Sequence, residues 1–348
     1  MWLVSLRDLQ WRRRRFLVAV LVAGLVFGMS LLMAGTEFTL YEDGRRIVRS
    51  FGADAWVVAE GTSGPFTTSS PIPEAAAAEV AGAAGVEAAE PIVIFHSTLQ
   101  QDELRDVNII GYDPGAFVAA EVATGRGLEA PGETVADVAL GVSLGDVLEV
   151  AGQELRVVGL ADEVTWYFGT PTLFMPSRDA QAIAFRGQPL AMAVATKGMP
   201  AGLPAGLQAL TNEAVVADLE RPLASSTETI GLLNLLLWIV AGGVIGSMVY
   251  LSAIERTRDF AVFKATGATD RSLLGGLLVQ ALVLCVASAA VAAVIAWLLV
   301  PMFPFAVEIP VAIYLRLAAV VLTVGAVASL AGVRRTVKVE PAQAFGGG

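Results

Sequence analysis

Four long stretches of apolar residues constrain the fold of this chain more than any other feature. The first, Phe16–Thr36, has 21 uncharged residues, and the second, Thr229–Ile254, has 26. About 20 helical residues cross a hydrocarbon core of about 30 Å. We therefore expect an integral membrane protein with a four-helix α-helical bundle. The predicted transmembrane segments are 16–36, 229–254, 272–300 and 311–333.

Prolines and one arginine set the limits of the last two segments. The uncharged run that begins at Ser272 contains Pro301 and Pro304, which should end its helix near Val300 and leave a short loop at 301–310. The fourth segment carries a single charge, Arg316, about one turn inside its end. A long arginine side chain can reach the membrane surface from that position.

The distribution of Lys and Arg predicts the orientation in the membrane. Residues 1–15 contain five arginines, the 254–271 loop contains four Lys or Arg, and the 301–310 loop contains none. The positive-inside rule places both termini and the 254–271 loop in the cytoplasm, so residues 37–228 are extracytoplasmic. This arrangement is a 1+3 topology in the cell (plasma) membrane. A cleaved signal peptide is the alternative for residues 1–35, but Leu32 and Met33 make a poor cleavage site before Ala34.

The extracytoplasmic segment, residues 37–228, is strongly acidic. It contains 27 Asp or Glu and 10 Lys or Arg, for a net charge of −17, whereas the whole chain has −10. Such a surface argues against nucleic acid and against anionic lipid as direct partners, and solubility alone would also account for it. Cys285 is the only cysteine in the chain, so an intrachain disulfide is excluded.

The extracytoplasmic segment is predicted to form a large α+β domain. Ala55–Ala59 is typical of a strand, and Pro73–Ala84 is rich in helix formers. Val86–Leu99, interrupted near Pro91, and Val107–Tyr112 follow as strands. Short alternating strands with glycine turns then predict a compact β subdomain at about 133–165.

No group of residues with the pattern of a catalytic or metal site occurs in the sequence. The single histidine, His96, lies in an apolar strand without a second histidine or a cysteine nearby, which favours a packing or hydrogen-bonding role. The loose acidic group around Asp106 lacks the glycine and spacing of an EF-hand. No P-loop motif occurs either. We expect no enzyme activity, metal or cofactor in this chain.

Residues 255–271 form a short charged segment between the second and third apolar stretches. Phe260 and Phe263 are three residues apart and share one face of a helix. Glu255, Arg256, Arg258, Asp259 and Lys264 supply charges around them. The pattern predicts an amphipathic cytoplasmic coupling helix that offers an apolar ridge to a partner.

This segment resembles the loop between the second and third spans of FtsX/MacB-like ABC transporter permeases. The pattern E-R-x-R-E-hydrophobic-A-hydrophobic-hydrophobic-K-A-hydrophobic-G-A is matched from Glu255 to Ala268, except that Asp259 replaces Glu and Thr266 replaces an apolar residue. Gln280-Ala281 and the tail Val339–Ala344 also fit the family, as do the stretch 140–160 and the 1+3 topology.

The resemblance implies a mechanotransmission permease. A separate cytosolic ABC ATPase, in two copies, would bind ATP and Mg²⁺ and grip the coupling helix, while a second permease copy would complete a homodimer or a similar heterodimer. The coupling residues implied are Glu255, Arg256, Arg258, Asp259, Phe260, Phe263, Lys264, Gly267 and Ala268. Residues 1–15 look like an amphipathic helix that braces the first span. The alternative is that the arginines set the topology alone.

Two G-x-x-x-G patterns indicate close helix packing in the membrane. They are Gly24/Gly28 in the first span and Gly242/Gly246 in the second. We expect these faces to contribute to the dimer interface, although glycine is common in membrane helices generally.

The predicted spans contain few polar residues, and apart from Arg316 none of them is charged. A conduit for a polar solute usually displays ionisable groups near mid-membrane. Efflux or extraction of a lipophilic or lipid-linked cargo is therefore favoured. A regulatory scaffold that activates an extracellular partner, such as a cell-wall hydrolase, is the alternative, and import of a small polar solute such as an amino acid is less favoured.

Overall fold

A computed structural model describes residues 13–101, 104–166, 169–255, 257, 259, 262–263, 266–267, 269–303 and 306–336. Of residues 225, 270–271, 273–274 and 328–336 only the backbone is described. The chain divides into two compact units. The helical unit contains residues 1–39 and 227–348, and the sheet unit contains residues 40–226.

Six α-helices occur among the described residues. They are α1 (Arg13–Ser50), α2 (Ala76–Ala81), α3 (Ser177–Phe185), α4 (Asn212–Glu255), α5 (Asp270–Leu299) and α6 (Val311–Thr336). Short 3₁₀ turns cover Val138–Leu140 and Val300–Met302. The second turn begins just before Pro301, which agrees with the predicted end of the third span.

Three of the described helical segments are long and apolar enough to cross a membrane. They are Arg13–Ser50, Ser226–Glu255 and Gly275–Met302. In α6 the described apolar stretch is Val311–Val327, which is shorter than the usual 20 residues. The fourth transmembrane segment therefore stays a prediction.

The helical unit buries small and aromatic residues and exposes large aliphatic ones. Ala23 and Phe27 of α1 are fully buried, whereas Leu21 and Leu25 of the same helix are exposed. The buried cluster also contains Ile245 of α4 and the residues of α5 that face it. An exposed aliphatic face costs nothing against lipid, so this pattern is the one expected of helices that pack together inside a bilayer.

The sheet unit contains twelve described strands. They are β1 (Ala55–Ala59), β2 (Ile72–Pro73), β3 (Ala88–Gln100), β4 (Leu104–Tyr112), β5 (Thr124–Gly125), β6 (Glu133–Asp137), β7 (Val147–Val150), β8 (Gln153–Ala161), β9 (Thr172–Pro176), β10 (Leu190–Ala191), β11 (Ala193–Lys197) and β12 (Leu207–Thr211). Ten of them form one sheet in the order β12-β1-β11-β3-β4-β9-β6-β8-β5, with β7 paired to β3 and β8. The other two, β10 and β2, pair with each other.

The strands predicted to form a β subdomain at 133–165 belong to this same sheet. Strand β6 pairs with β9, and β9 pairs in parallel with β4. Only β4–β9 and β6–β8 are parallel pairs, and the remaining described pairs are antiparallel. With helices packed on it, the unit is the α+β domain expected from the sequence.

Two prolines changed the predicted boundaries. Strand β3 continues through Pro91. The carbonyl of Ile92 accepts a hydrogen bond from the amide of Met192, just before β11, so the backbone of Pro91 is directed to the opposite edge. Pairing with β4 begins only at Val93, so no donor is required of the proline. Pro73 lies in β2, opposite Leu190, and α2 consequently starts at Ala76 rather than at Pro73.

Aromatic side chains form the centre of the sheet unit. The ring centroid of Trp56 lies 5.1 Å from that of Phe51 and 5.6 Å from that of Phe66. Phe66 in turn lies 4.8 Å from Trp166 in an edge-on arrangement. Such contacts stabilise a core beyond the apolar area that they bury.

Candidate coupling site and membrane helices

The predicted coupling segment lies between α4 and α5. Its described residues Thr257, Asp259, Val262 and Phe263 have helical backbone. The amide of Thr266 donates to the carbonyl of Val262 at 3.0 Å, which is a helical i to i−4 bond. Five of the predicted coupling residues lie outside the described residues, namely Arg256, Arg258, Phe260, Lys264 and Ala268.

Gly267 and Thr269 mark the end of this segment and the start of α5. Gly267 has φ of +94°, a value that residues with a Cβ rarely adopt, and it follows the last helical turn. Thr269 is the N-cap of α5, and its side-chain oxygen accepts from the amide of Ser272. The glycine predicted as a coupling residue therefore has a conformational role in ending the helical segment.

The described side chains of the coupling segment divide into two faces. Glu255, Asp259, Val262 and Thr266 are all exposed, and their spacing of four, three and four residues places them on one side of a helix. Phe263 is partly buried and packs against the hydrophobic cluster of the helical unit. Phe263 thus contacts the protein's own helices, and its predicted place in a ridge offered to a partner stays a prediction.

Glu255 forms an ion pair with the first turn of α1. Its Oε1 accepts a hydrogen bond from Nη1 of Arg15 at 2.7 Å, and both side chains are about one-third exposed. The two residues are 240 positions apart in sequence. The ion pair joins the start of α1 to the end of α4, so the predicted coupling residue Glu255 has a partner within the chain. The only sequence signal for it is opposite charge at the ends of two apolar stretches.

Glycines of α1 allow close contact with α5 inside one chain. A Cβ on Gly24 would lie 2.6 Å from Cγ1 of Val291, and one on Gly28 would lie 3.2 Å from Cγ2 of Ile295. Gly24 and Gly28 therefore serve an intrachain contact, and their predicted part in a dimer interface stays a prediction.

The second glycine pair also faces the chain's own helices. A Cβ on Gly242 would lie 3.3 Å from Cγ1 of Val324 in α6, and Gly246 is buried. Close packing around these glycines agrees with the G-x-x-x-G pattern, and the dimer contact expected of them stays a prediction.

Polar side chains in the helical unit pair with one another between helices. Ser30 of α1 donates to Oδ1 of Asn234 in α4 at 2.7 Å, and Nε1 of Trp238 donates to the Ser30 hydroxyl at 3.0 Å. Near the other end of α4, Nε2 of Gln280 donates to Ser252 at 3.1 Å. Hydrogen bonds between side chains thus join α1 to α4 and α4 to α5.

The sheet unit contains titratable groups with shifted pKa values, but the described ones are not grouped as in a catalytic or metal site. Burial raises the pKa of Asp137, although the amides of Ala139 and Thr172 donate to its carboxylate and oppose the rise. The ring of His96 lies 5.5 Å from that of Trp166, in keeping with a packing role. Among the described residues, no three His, Cys, Asp or Glu side chains lie close enough to hold a metal ion.

Comparison with known proteins accounts for nearly the whole chain. Residues 18–201 match the MacB-like periplasmic core domain, and residues 231–341 match the FtsX-like permease C-terminal domain. Two uncharacterized ABC transporter permeases of Mycobacterium tuberculosis are 40% identical to this chain over 348 residues, which is 100% of each chain. The chain belongs to the FtsX/MacB family of ABC transporter permeases. The resemblance inferred from the coupling segment is thereby confirmed.

More distant similarities cover parts of the permease. The putative hemin transport system permease protein HrtB of Staphylococcus epidermidis is 26% identical over 147 residues, which is 41% of each chain. Two solved structures align with the permease. The periplasmic region of MacB from Actinobacillus actinomycetemcomitans has 13% identity, covers 50% of this chain and 95% of that one, and has a TM-score of 0.37. The extracellular domain of the transporter YknZ has 14% identity, covers 45% and 98%, and has a TM-score of 0.35.

Family membership makes the permease a membrane subunit of an ABC transporter. Such a subunit works with an ATPase subunit, and the sequence itself contains no P-loop motif. The MacB-like domain corresponds to the sheet unit with its first helix, and the FtsX-like domain covers the coupling segment together with α5 and α6.

Proposed function

We propose that this permease couples ATP hydrolysis by a separate cytosolic ATPase to movement of its extracytoplasmic domain, and thereby extracts or exports a lipophilic or lipid-linked cargo. Two ATPase copies and two permease copies would form the assembly, with both permease termini in the cytoplasm. The division of the coupling segment into one exposed and one packed face carries this proposal.

The exposed face is suited to a protein partner. Asp259 and Val262 are on it together, one charged and one apolar, and Val262 is 49% exposed. Interfaces commonly combine a desolvated apolar contact with charges that fix the register. A partner that moves this face would move the bundle with it, because Phe263 packs into the helical unit and Glu255 is joined to α1.

The character of the helical unit supports a lipophilic cargo. Its described buried polar side chains are few, and several are hydrogen-bonded to each other, as at Ser30–Asn234 and Ser252–Gln280. The relative HrtB carries a name that refers to hemin, a largely apolar macrocycle, and such a cargo has the lipophilic character proposed here.

A regulatory scaffold of the FtsX type is the second candidate. It is favoured by the acidic segment 37–228, which could recognise an extracytoplasmic protein. ATP hydrolysis measured in nanodiscs separates the two functions. A transporter should be stimulated by an amphiphilic cargo, whereas a scaffold should respond to its protein partner and not to amphiphiles.

The coupling role can be tested by copurification with the ATPase. The double variant Asp259→Arg, Val262→Glu changes two exposed side chains, so the permease should remain monodisperse and keep its Tm. Capture of the ATPase should fall by at least about tenfold if this face binds it. Phe263 is a poorer probe, since a charge there would also disturb the helical unit.

The sheet unit offers a matched control. Glu121→Arg with Val138→Glu makes the same chemical changes at two exposed positions outside the helical unit. This control should leave capture of the ATPase unchanged. Undiminished capture by the Asp259/Val262 variant would remove the proposed coupling face.

A further inference from the structure

A cavity of about 170 Å³ lies in the helical unit between α1, α4 and α6. Its volume corresponds to roughly six water molecules, so it could hold a small polar group but not an acyl chain. Apolar residues of all three helices line one part of it, including Leu31, Leu317 and Val320. Polar and charged residues line the rest.

The neutral polar part of the cavity is already organised. Ser30 is 4% exposed and Asn234 is 8% exposed, and their side chains are joined by the 2.7 Å hydrogen bond described above. Trp238, which donates to Ser30, lines the cavity too. Asn234 uses Oδ1 in its bond to Ser30, which leaves the two hydrogens on Nδ2 for another acceptor.

Two opposite charges complete the lining. Glu37 comes from α1 and Arg316 comes from α6. Among the described residues no ion pair joins these two side chains. Glu37 is half-buried and Arg316 is exposed, and together they would suit a ligand that carries both signs.

A hydrogen-bonded contact holds α6 in register with α1 near the cavity. The amide of Glu308, in the α5–α6 loop, donates to Oγ1 of Thr39 at 2.8 Å. Thr39 in turn donates to the carbonyl of Gly35 at 3.0 Å. A Cβ on Gly35 would lie 2.6 Å from Cγ1 of Ile309, so the loop approaches α1 closely.

We propose that this cavity binds the zwitterionic head group of an amphiphile, with an ammonium group at Glu37 and a phosphate at Arg316 and Asn234. The acyl chain would leave along the apolar lining of α1 and α6. Binding rests on the geometry of the cavity, and only the interpretation of the amphiphile as cargo rests on the proposed function.

Gly231 provides a direct test because it lines the cavity and has open space around it. A Cβ there would meet nothing within 4 Å, so Gly231→Leu can occupy the cavity entrance without a clash. Gly243→Leu is the matched control: it lies on the same helix, also has nothing within 4 Å, and does not line the cavity.

Binding of lysophosphatidylethanolamine to the full-length permease in detergent would be measured by native mass spectrometry and by the shift of Tm. Gly231→Leu should weaken binding by about tenfold or more, and Gly243→Leu should leave it unchanged. Equal affinity of both variants and the wild type would overturn the site.

Charge variants test the zwitterionic head group. Glu37→Gln and Arg316→Gln should each weaken lysophosphatidylethanolamine binding by about tenfold, since each removes one charge-assisted contact. With anionic lysophosphatidylglycerol, only Arg316→Gln should matter. Glu228→Gln, a carboxylate next to the cavity residue Thr227, is the control and should have no effect. If neither Glu37→Gln nor Arg316→Gln weakened binding of lysophosphatidylethanolamine, the assignment of a zwitterionic head group to this cavity would be overturned.

Soluble O-phosphoethanolamine distinguishes an amphiphile from a free phosphoamine. It carries the same charges without the acyl chain, so it should bind far more weakly than the lysolipid. Equal affinity would overturn the amphiphile in favour of a soluble ligand. None of these measurements needs the ATPase, so the site can fail while the coupling role stands, and copurification can fail while the site stands.

Discussion

Glycines with a positive φ distinguish the two units of this permease, although close approach occurs in both, since Ala180 leaves no space for a Cβ on Gly111 of the sheet unit. In the sheet unit glycine supplies positive φ in turns, as at Gly61 and Gly141, where a Cβ would meet open space. Among the described glycines with positive φ, only Gly267 belongs to the helical unit. Gly24 and Gly35 of the helical unit instead allow close approach, because a Cβ on either would lie 2.6 Å from another segment. Conformation limits substitution in the first case and space limits it in the second.

Buried polar side chains differ between the units in a parallel way. In the sheet unit they bond mostly to backbone: Thr134 donates to the carbonyl of Phe174 at 2.9 Å, and Thr196 donates to that of Ala55 at 3.2 Å. In the helical unit, Ser30 and Asn234 bond to each other. Thr39 of α1 still donates to the carbonyl of Gly35, so the contrast lies in the hydrogen bonds that join two helices.

The largest effect is expected at Gly24. Gly24→Leu should lower the free energy of unfolding of the full-length permease by about 3 kcal/mol, because the added side chain overlaps Val291. Gly24→Ala should already cost part of this. Unfolding in mixed micelles would measure both. Gly243→Leu, in open space on α4, should be neutral or slightly stabilising, and a loss equal to that of Gly24→Leu would break the comparison.

A smaller effect is expected at Ser30. Ser30→Ala removes the partner of both Asn234 and Trp238, and should destabilise the helical unit by about 1.5 kcal/mol. Thr134→Val in the sheet unit should cost about 1 kcal/mol at most, because one hydrogen bond to a backbone carbonyl is lost. Hydrogen exchange of α1 and α4, compared with exchange of β6, resolves the two responses. A larger loss for Thr134→Val would contradict the comparison.

Gly141 tests the conformational side of the comparison. It has φ of +70° and ψ of +20°, with no atom within 4 Å of a Cβ. Gly141→Ala should cost about 1 kcal/mol from backbone strain, and Gly141→Leu should cost about the same. In thermal unfolding, the loss of stability should change little with the size of the side chain at position 141 and should increase steeply with it at position 24. A steep dependence at Gly141 would contradict it.

The smallest effect is a pH dependence from Glu133 in the sheet unit. Arg126 donates hydrogen bonds to this carboxylate, with the amides of Glu129 and Ala130 adding two more, and they lower the pKa of Glu133 from 4.5 to about 2. A lowered pKa contributes stability above pH 4.5 that disappears as the pH falls through 2. The Tm difference between wild type and Glu133→Gln should therefore be greatest above pH 5 and shrink toward pH 2.

Glu129→Gln is the control for this measurement. The Glu129 side chain is 70% exposed, and its carboxylate lies 3.5 Å from Nη1 of Arg126, which makes a weaker ion pair than that of Glu133. Its Tm difference from wild type should be small throughout. If the difference for Glu133→Gln did not depend on pH, the ion pair with Arg126 would not contribute to stability.

Local patterns in the sequence predicted several elements well. Strand β1 begins and ends at the predicted residues, Ala55 and Ala59, because a short apolar run between turn residues specifies a buried strand. The helical character of the coupling segment followed from its motif. Periodicity could not say which face meets the protein's own helices, so it did not indicate that Phe263 packs against them.

Features that join distant parts of the chain were not predictable in this way. The Gly24/Gly28 pattern indicates a close helix contact but does not identify the partner, which proved to be α5. The cavity combines Glu37, just beyond the first apolar stretch, with Arg316, inside the last one. Each has an ordinary explanation alone, and only the fold brings them together.

Helix α1 is fastened at two levels, by Arg15 to Glu255 and by Thr39 to the amide of Glu308. These residues are 24 positions apart, which is about 36 Å along a helix. Helix α1 cannot shift along its axis without breaking the Arg15–Glu255 ion pair or the Thr39–Glu308 hydrogen bond, but it can tilt or rotate together with the helices that it contacts. A force applied to the coupling segment would thus rotate α1 together with the helices that it contacts. The cavity lined by Glu37 and Arg316 lies near the Thr39–Glu308 contact, at the other end of α1's membrane segment.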